Sequence, residues 1–222
     1  MDAKAQATTI RRRVASLQPA NTPNLRTLRR EISKQLAAEQ PDTVLGVAFH
    51  LLEGGNVGHR FFAYELVSSH KLSLSGLGEK ELLRLGRGLD SWGAVDCFAC
   101  ILSGRVWREG QVQDALIHGW ARSPDRWWRR AALVSTVPLN NRTQGGRGDA
   151  SRTLAICVLL AADRDDMVVK AMSWALRELS KRDAAAVRDF IASHQDALAP
   201  RVLREVGNKL TTGRKNPRSR SV

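Results

Sequence analysis

Asp90-Ser91-Trp92-Gly93-Ala94-Val95-Asp96 sets an indole and a carboxylate four residues apart, one turn above the other on a single helix face. Val95, Cys97, Phe98, Ala99, Cys100, Ile101 and Leu102 around that aspartate read as a buried helix over residues 91–105. A carboxylate in such company is odd, since interior carboxylates are almost always paired or in use. The stretch also recurs. Val95-Asp96-Cys97-Phe98-Ala99 lines up with His59-Arg60-Phe61-Phe62-Ala63, Arg129-Arg130-Ala131-Ala132-Leu133 and Val169-Lys170-Ala171-Met172-Ser173. Arg60, Asp96, Arg130 and Lys170 then occupy equivalent places, 36, 34 and 40 residues apart. That period belongs to two-helix repeats of the HEAT type, whose second helices line a concave wall.

Outward from this stretch, nearly every segment has helical periodicity and none alternates with period two. Thr22 reads as an N-cap with Pro23 at the first helical position, and Leu25, Leu28, Ile32 and Leu36 share the face that follows. Further helices are expected over 9–17, 41–52, 58–69, 79–85, 111–121, 124–136, 150–161, 165–180, 183–194 and 200–210. Residues 138–149, rich in Asn, Gly and Arg, read as a mobile basic loop. The expected architecture is all-α: a right-handed superhelix of about six HEAT-like antiparallel helix pairs with a concave basic groove. One repeat domain covers 1–210, and 211–222 forms a basic, disordered tail.

Composition narrows the partners. The 222 residues carry a net charge of +13, which favours a polyanion. Six tryptophans against one tyrosine, several beside arginines, suit sugar or base contact. No run of eighteen apolar residues is present, and the arginines at 11–13 have no apolar signal core behind them, so neither a membrane span nor secretion is expected. Three cysteines argue against a disulfide framework and for a reducing cytoplasm. Cys97-x-x-Cys100 lacks a second pair to complete a zinc site, the histidines show no ligand spacing, and Gly145-Gly146-Arg147-Gly148 lacks the ending of a phosphate loop. Neither a metal nor a cofactor is expected. Trp127-Trp128 offers one stacking residue at most, since neighbours on a helix point about 100° apart.

Trp92 with Asp96, Arg126 with Arg130, and Lys170 with Trp174 each share a face at i,i+4. If the repeats stack, two indoles flank a carboxylate and a guanidinium, a set able to hold a cationic sugar or base beside a phosphate. The same spacing also fits core indoles with a structural ion pair between Asp96 and Arg130. Spacing leaves both readings open.

At these residues the chain resembles the AlkD-like family of DNA alkylation-repair glycosylases. Trp92-Gly93-Ala94-Val95-Asp96 looks like the family's Trp-x-x-x-Asp signature, and Trp128-Arg129-Arg130-Ala131-Ala132-Leu133 like its arginine-bearing helix. Lys170-Ala171-Met172-Ser173-Trp174-Ala175-Leu176-Arg177-Glu178 is similar to its Lys-Ala-x-x-Trp-x-Leu-Arg-Glu block, with a fainter echo in Thr22-Pro23-Asn24-Leu25-Arg26. The likeness covers 91–210. It implies a monomer that holds duplex DNA and hydrolyses the N-glycosidic bond of N3- and N7-alkylated purines without cofactor. It implies Asp96 as the catalytic carboxylate, Trp92 and Trp174 against the sugar, and Arg130 on a phosphate. The DNA contacts expected alongside are Arg60, Arg126, Arg129 and Lys170, with Arg142 and Arg147 from the loop and Arg214 and Lys215 from the tail. A cytoplasmic, nucleoid-associated location follows.

The chemistry suits so sparse a site. An alkylated purine is already cationic and leaves without protonation, so one ionised carboxylate suffices for the oxocarbenium-like sugar and the attacking water. The chain departs from the family at Gly93, where an acidic residue is frequent, and in the longer 138–149 loop. The alternatives are a non-catalytic protein of the same shape that binds bent or branched DNA, and a protein-interaction scaffold.

Overall fold

Short polar side chains decide where the helices begin. In the computed structural model, which describes residues 2–216, Asp2, Asn21, Asn56, Ser91, Asp125, Asp149, Asp165 and Asp183 each accept a backbone N–H at a helix start. The cap of the second helix is Asn21 rather than Thr22, one residue earlier than expected. An asparagine carbonyl caps better than a β-branched threonine.

All regular structure among the described residues is helical. The chain divides after Val112 into two compact units, where one repeat domain is expected from sequence. The first unit holds α1 (Ala3–Ala15), α2 (Thr22–Gln35), α3 (Pro41–Leu52), α4 (Val57–Ser69), α5 (Lys71–Ser75), α6 (Glu79–Leu85), α7 (Trp92–Phe98) and α8 (Gly104–Arg108). The second holds α9 (Asp114–Ala121), α10 (Arg126–Ser135), α11 (Val137–Asn140), α12 (Ala150–Leu159), α13 (Asp166–Leu179), α14 (Ala184–Ser193) and α15 (Pro200–Thr212).

Each unit is built from two rows of helices. In the first, α2 packs on α4 and α4 on α7, while α1 packs on α3 and α3 on α5 and α6. In the second, α10 packs on α13 and α13 on α15, while α9 packs on α12. The rows are sealed by apolar faces: Val44, Val47, Ala48 and Leu51 of α3 meet Phe62, Ala63, Leu66 and Val67 of α4, all buried. Eight of the twelve expected site residues fall on the α4–α7 or the α10–α13 row, and Arg142, Arg147, Arg214 and Lys215 lie off them.

Four expectations change. The opening helix starts at Ala3, not Thr9, because its alanine-rich first turns continue a face of Ala7, Ile10 and Val14, all buried. The helix expected over 91–105 is interrupted by a π-helical segment at Ala99–Ser103, which widens the turn just below Asp96. Residues 138–149 are tied down rather than mobile: Val137–Asn140 is helical and buried, and Arg142–Gln144 forms a 3₁₀ turn. The tail expected from 211 remains helical to Thr212. Asn208 Nδ2 then donates to the Lys215 carbonyl at 3.2 Å, holding the chain against α15. Residues 217–222, with the basic positions Arg218 and Arg220 of the expected tail, lie outside the described residues.

Candidate functional site

In the first unit the turn before α7 sets the geometry. Gly88 lies in the left-handed region at φ 70°, and a Cβ there would stand 3.1 Å from the Arg60 guanidinium. Arg60, from the middle of α4, donates to the Gly88 carbonyl at 2.6 Å and the Arg87 carbonyl at 3.2 Å. Its Nη1 also reaches the Tyr64 hydroxyl at 3.3 Å, and that hydroxyl donates to the Leu85 carbonyl at 3.1 Å. Burial pushes the Tyr64 phenol up to about 12, so it stays a donor throughout the neutral range. Two buried side chains one turn apart thus fix the backbone from which α7 starts.

Ser91 caps α7, and Trp92 is its first residue, 61% exposed. One turn on, Asp96 is half-buried and shares the Trp92 face. An indole so open to solvent is not a core residue. The core reading of Trp92 therefore fails, while the buried Ala94, Val95 and Phe98 carry the packing of α7. Burial, and after it the Asp96 charge, pushes the Cys97 thiol up to about 11. Cys97 and Cys100 are free, and Cys97 stays a protonated thiol at neutral pH.

In the second unit α10 and α13 carry the counterparts. Arg126 is exposed, stacks over the Trp127 ring at 4.8 Å, and pairs with Asp165 at 3.4 Å. Trp128 instead packs against Trp120, ring centroids 4.8 Å apart. Lys170 is exposed and pairs with Asp166 at 2.7 Å. Both are surface ion pairs, worth about 0–1 kcal/mol each, so a phosphate can replace the carboxylate at little cost. Trp174, one turn beyond Lys170, is half-buried between the buried Ser173 and Ala175.

Three expected DNA contacts are anchors in this structure. Arg60 is 7% exposed and committed to carbonyls. Arg129 donates to Asp163 at 2.7 Å and to the carbonyls of Ser123 and Pro124 at 3.1 and 2.8 Å. Arg130, expected to grip a phosphate, is 5% exposed, and its Nη1 donates to the Met167 carbonyl in the first turn of α13 at 2.5 Å. Helical spacing reports a face; it does not report that a backbone carbonyl lies within reach of that face. Arg142, Arg147, Arg214 and Lys215 are all exposed, and Lys215 also pairs with Glu205 at 3.3 Å.

Sequence reasoning missed Tyr64 and the Glu205 cluster. Tyr64 was signalled by its spacing four residues after Arg60. Glu205, 7% exposed, accepts from the Ser173 hydroxyl at 2.6 Å, and Arg177 donates to that hydroxyl at 3.1 Å. Burial pushes the Glu205 carboxyl up, but the Ser173 bond with Lys215 and Arg177 outweighs it and leaves the group below its ordinary value. The described residues include no cluster of three or more metal-ligating side chains, and no helix long and apolar enough to cross a membrane.

The comparison with family models matches residues 8–210 to the family described as DNA alkylation repair enzyme. A search of curated proteins gives no match.

Proposed function

Since the chain belongs to the DNA alkylation repair enzyme family, we propose that it is a monofunctional DNA glycosylase that hydrolyses the N-glycosidic bond of N3- and N7-alkylated purines in duplex DNA. The observation that carries this reading is the pairing of a solvent-open indole at the first position of α7 with a half-buried carboxylate one turn deeper. An exposed tryptophan on a short helix has no packing role and offers a flat face to a sugar. The carboxylate beneath it is shielded enough to act strongly on a developing positive charge.

Asp96 stabilises the oxocarbenium-like sugar as the neutral purine departs, and orients the water that adds to C1′. The water's oxygen forms the new bond to C1′ and loses a proton to solvent through the carboxylate. The glycosidic electron pair leaves with the base and cancels its positive charge, so no acid is needed on the leaving side. Trp92 and Trp174 contact the sugar, exposed Arg126 and Lys170 hold phosphates, and buried Arg130 positions α13 through Met167. The two rows of helices in each unit support the further proposal that the pairs are HEAT-like repeats of a right-handed superhelix. The same reading makes the protein a cytoplasmic, nucleoid-associated monomer.

The test is release of 7-methylguanine and 3-methyladenine from alkylated duplex. Base release by the parent and none by Asp96→Asn, with duplex binding retained in both, supports it. Tight duplex binding with no release by the parent leaves the non-catalytic DNA-binding reading.

A further inference from the structure

From the way residues 141–149 are held, we infer that this loop is a rigid arm that places Arg142 and Arg147 on backbone phosphates of duplex DNA. The inference concerns binding alone and takes from the proposed function only its DNA partner.

The loop is locked from below. Asn140 is buried, and its Nδ2 donates to the Thr136 carbonyl at 3.0 Å and to the Thr153 hydroxyl at 2.8 Å. Its Oδ1 accepts the Asp149 N–H at 2.9 Å, so one side chain closes both ends of the loop. Arg182, in the turn after α13, donates to the Asn140 carbonyl at 2.9 Å and to the Gly146 carbonyl at 3.0 Å. Gly146 is packed so tightly that a Cβ would lie 2.6 Å from the Pro138 oxygen and 2.7 Å from the Asn141 nitrogen. Gly145 and Gly148 take left-handed turns at φ 85° and 101°, which drive the chain out and back.

What the lock presents is charge. Arg142 and Arg147 are exposed, and among the described residues neither guanidinium has a carboxylate partner. The loop's own acid, Asp149, is spent on capping α12 and on Arg152 Nε at 2.5 Å. A solvated loop needs no such lock. Holding two guanidiniums outward removes the ordering cost that a floppy arm meets on binding, which is how a fixed anionic lattice is best gripped.

The experiment measures binding of undamaged duplex by the whole protein between 50 and 200 mM salt. Arg142→Ala/Arg147→Ala is expected to weaken binding about tenfold and to flatten the log–log salt slope by about 1.8, the loss of two phosphate contacts. Arg12→Ala/Arg188→Ala, which removes equal charge from exposed sites on α1 and α14, is expected to change the slope by less than half as much. Arg182→Gln leaves both presented arginines but is expected to speed hydrogen exchange at Gly146 and Gly148 and to weaken binding. Equal slopes for the two double variants overturn the arm, as does a parent that binds no duplex. Faster exchange in Arg182→Gln with parental affinity overturns the role of rigidity. A flattened slope in a parent background that releases no alkylated base sustains the arm while ending the glycosylase reading.

Discussion

The two units solve one problem differently. Each must aim an indole-bearing helix, and each uses a buried arginine from the preceding second helix: Arg60 for the turn before α7, Arg130 for the first turn of α13. The helices so aimed are unlike. α13 runs 14 residues with nine buried side chains, and Trp174 sits half-buried in its middle. α7 has seven residues, begins on the exposed Trp92 and gives way to a π segment. A long helix locates its own residues through packing. A short one is placed largely by what holds its ends, so the Trp92–Asp96 pair in the first unit depends on Arg60, Tyr64 and a glycine turn as well as on core area.

The comparison breaks first at Asp96. Asp96→Asn is expected to lower release of alkylated purines by about 10²–10³-fold with duplex binding little changed. Full excision by that variant removes the chemistry from α7.

Removing the anchors tests whether the short helix depends on them more. Arg60→Met strands the Arg87 and Gly88 carbonyls, and Arg130→Met removes the guanidinium's bond to the Met167 carbonyl and leaves a buried arginine site empty of its charge. Each is expected to cost about 2–4 kcal/mol in urea unfolding. At temperatures where both remain folded, Arg60→Met is expected to alter acrylamide quenching of Trp92 while Arg130→Met leaves Trp174 in place. Equal displacement of both indoles contradicts the contrast between the two helices.

A weaker effect separates the units by pH. The Glu205 carboxyl lies below its ordinary value of 4.5, so its stabilisation is fully present above that value and is lost as pH falls through the folded one. Glu205→Gln is therefore expected to lower stability near neutrality and to flatten the acid limb below about pH 4.5. An unchanged acid limb means the Ser173–Glu205 bond does not hold α13 to α15.

The smallest effect is at Gly93. A Cβ there meets only Val57 Cγ1, at 3.5 Å, an ordinary contact. Gly93→Ala is expected to raise stability by about 0.5–1 kcal/mol through helix propensity, with excision unchanged, as read by thermal unfolding. A loss of stability shows α7 to be strained by more than its ends.

Much of the molecule is legible in the residues. The helical pattern, the face shared by Trp92 and Asp96, and the equivalence of Arg60 with Arg130 follow from spacing, because an α-helix repeats locally. The motifs at Trp92, Arg130 and Lys170 also led to the family that the match over 8–210 shows. Spacing failed where a side chain's fate depends on distant backbone. Arg60, Arg129 and Arg130 read as surface cations and became anchors for carbonyls. Residues 138–149 read as mobile because glycine and asparagine favour turns, yet the Asn140 and Arg182 side chains tie them down.

The sequence by itself determined which residues share a helix face, since that depends only on a rise and a twist common to all helices. Tertiary structure alone decided which of those charged groups meet water and which meet a carbonyl. A guanidinium is long enough to reach either, and only the packing of a later segment supplies the acceptor that settles it.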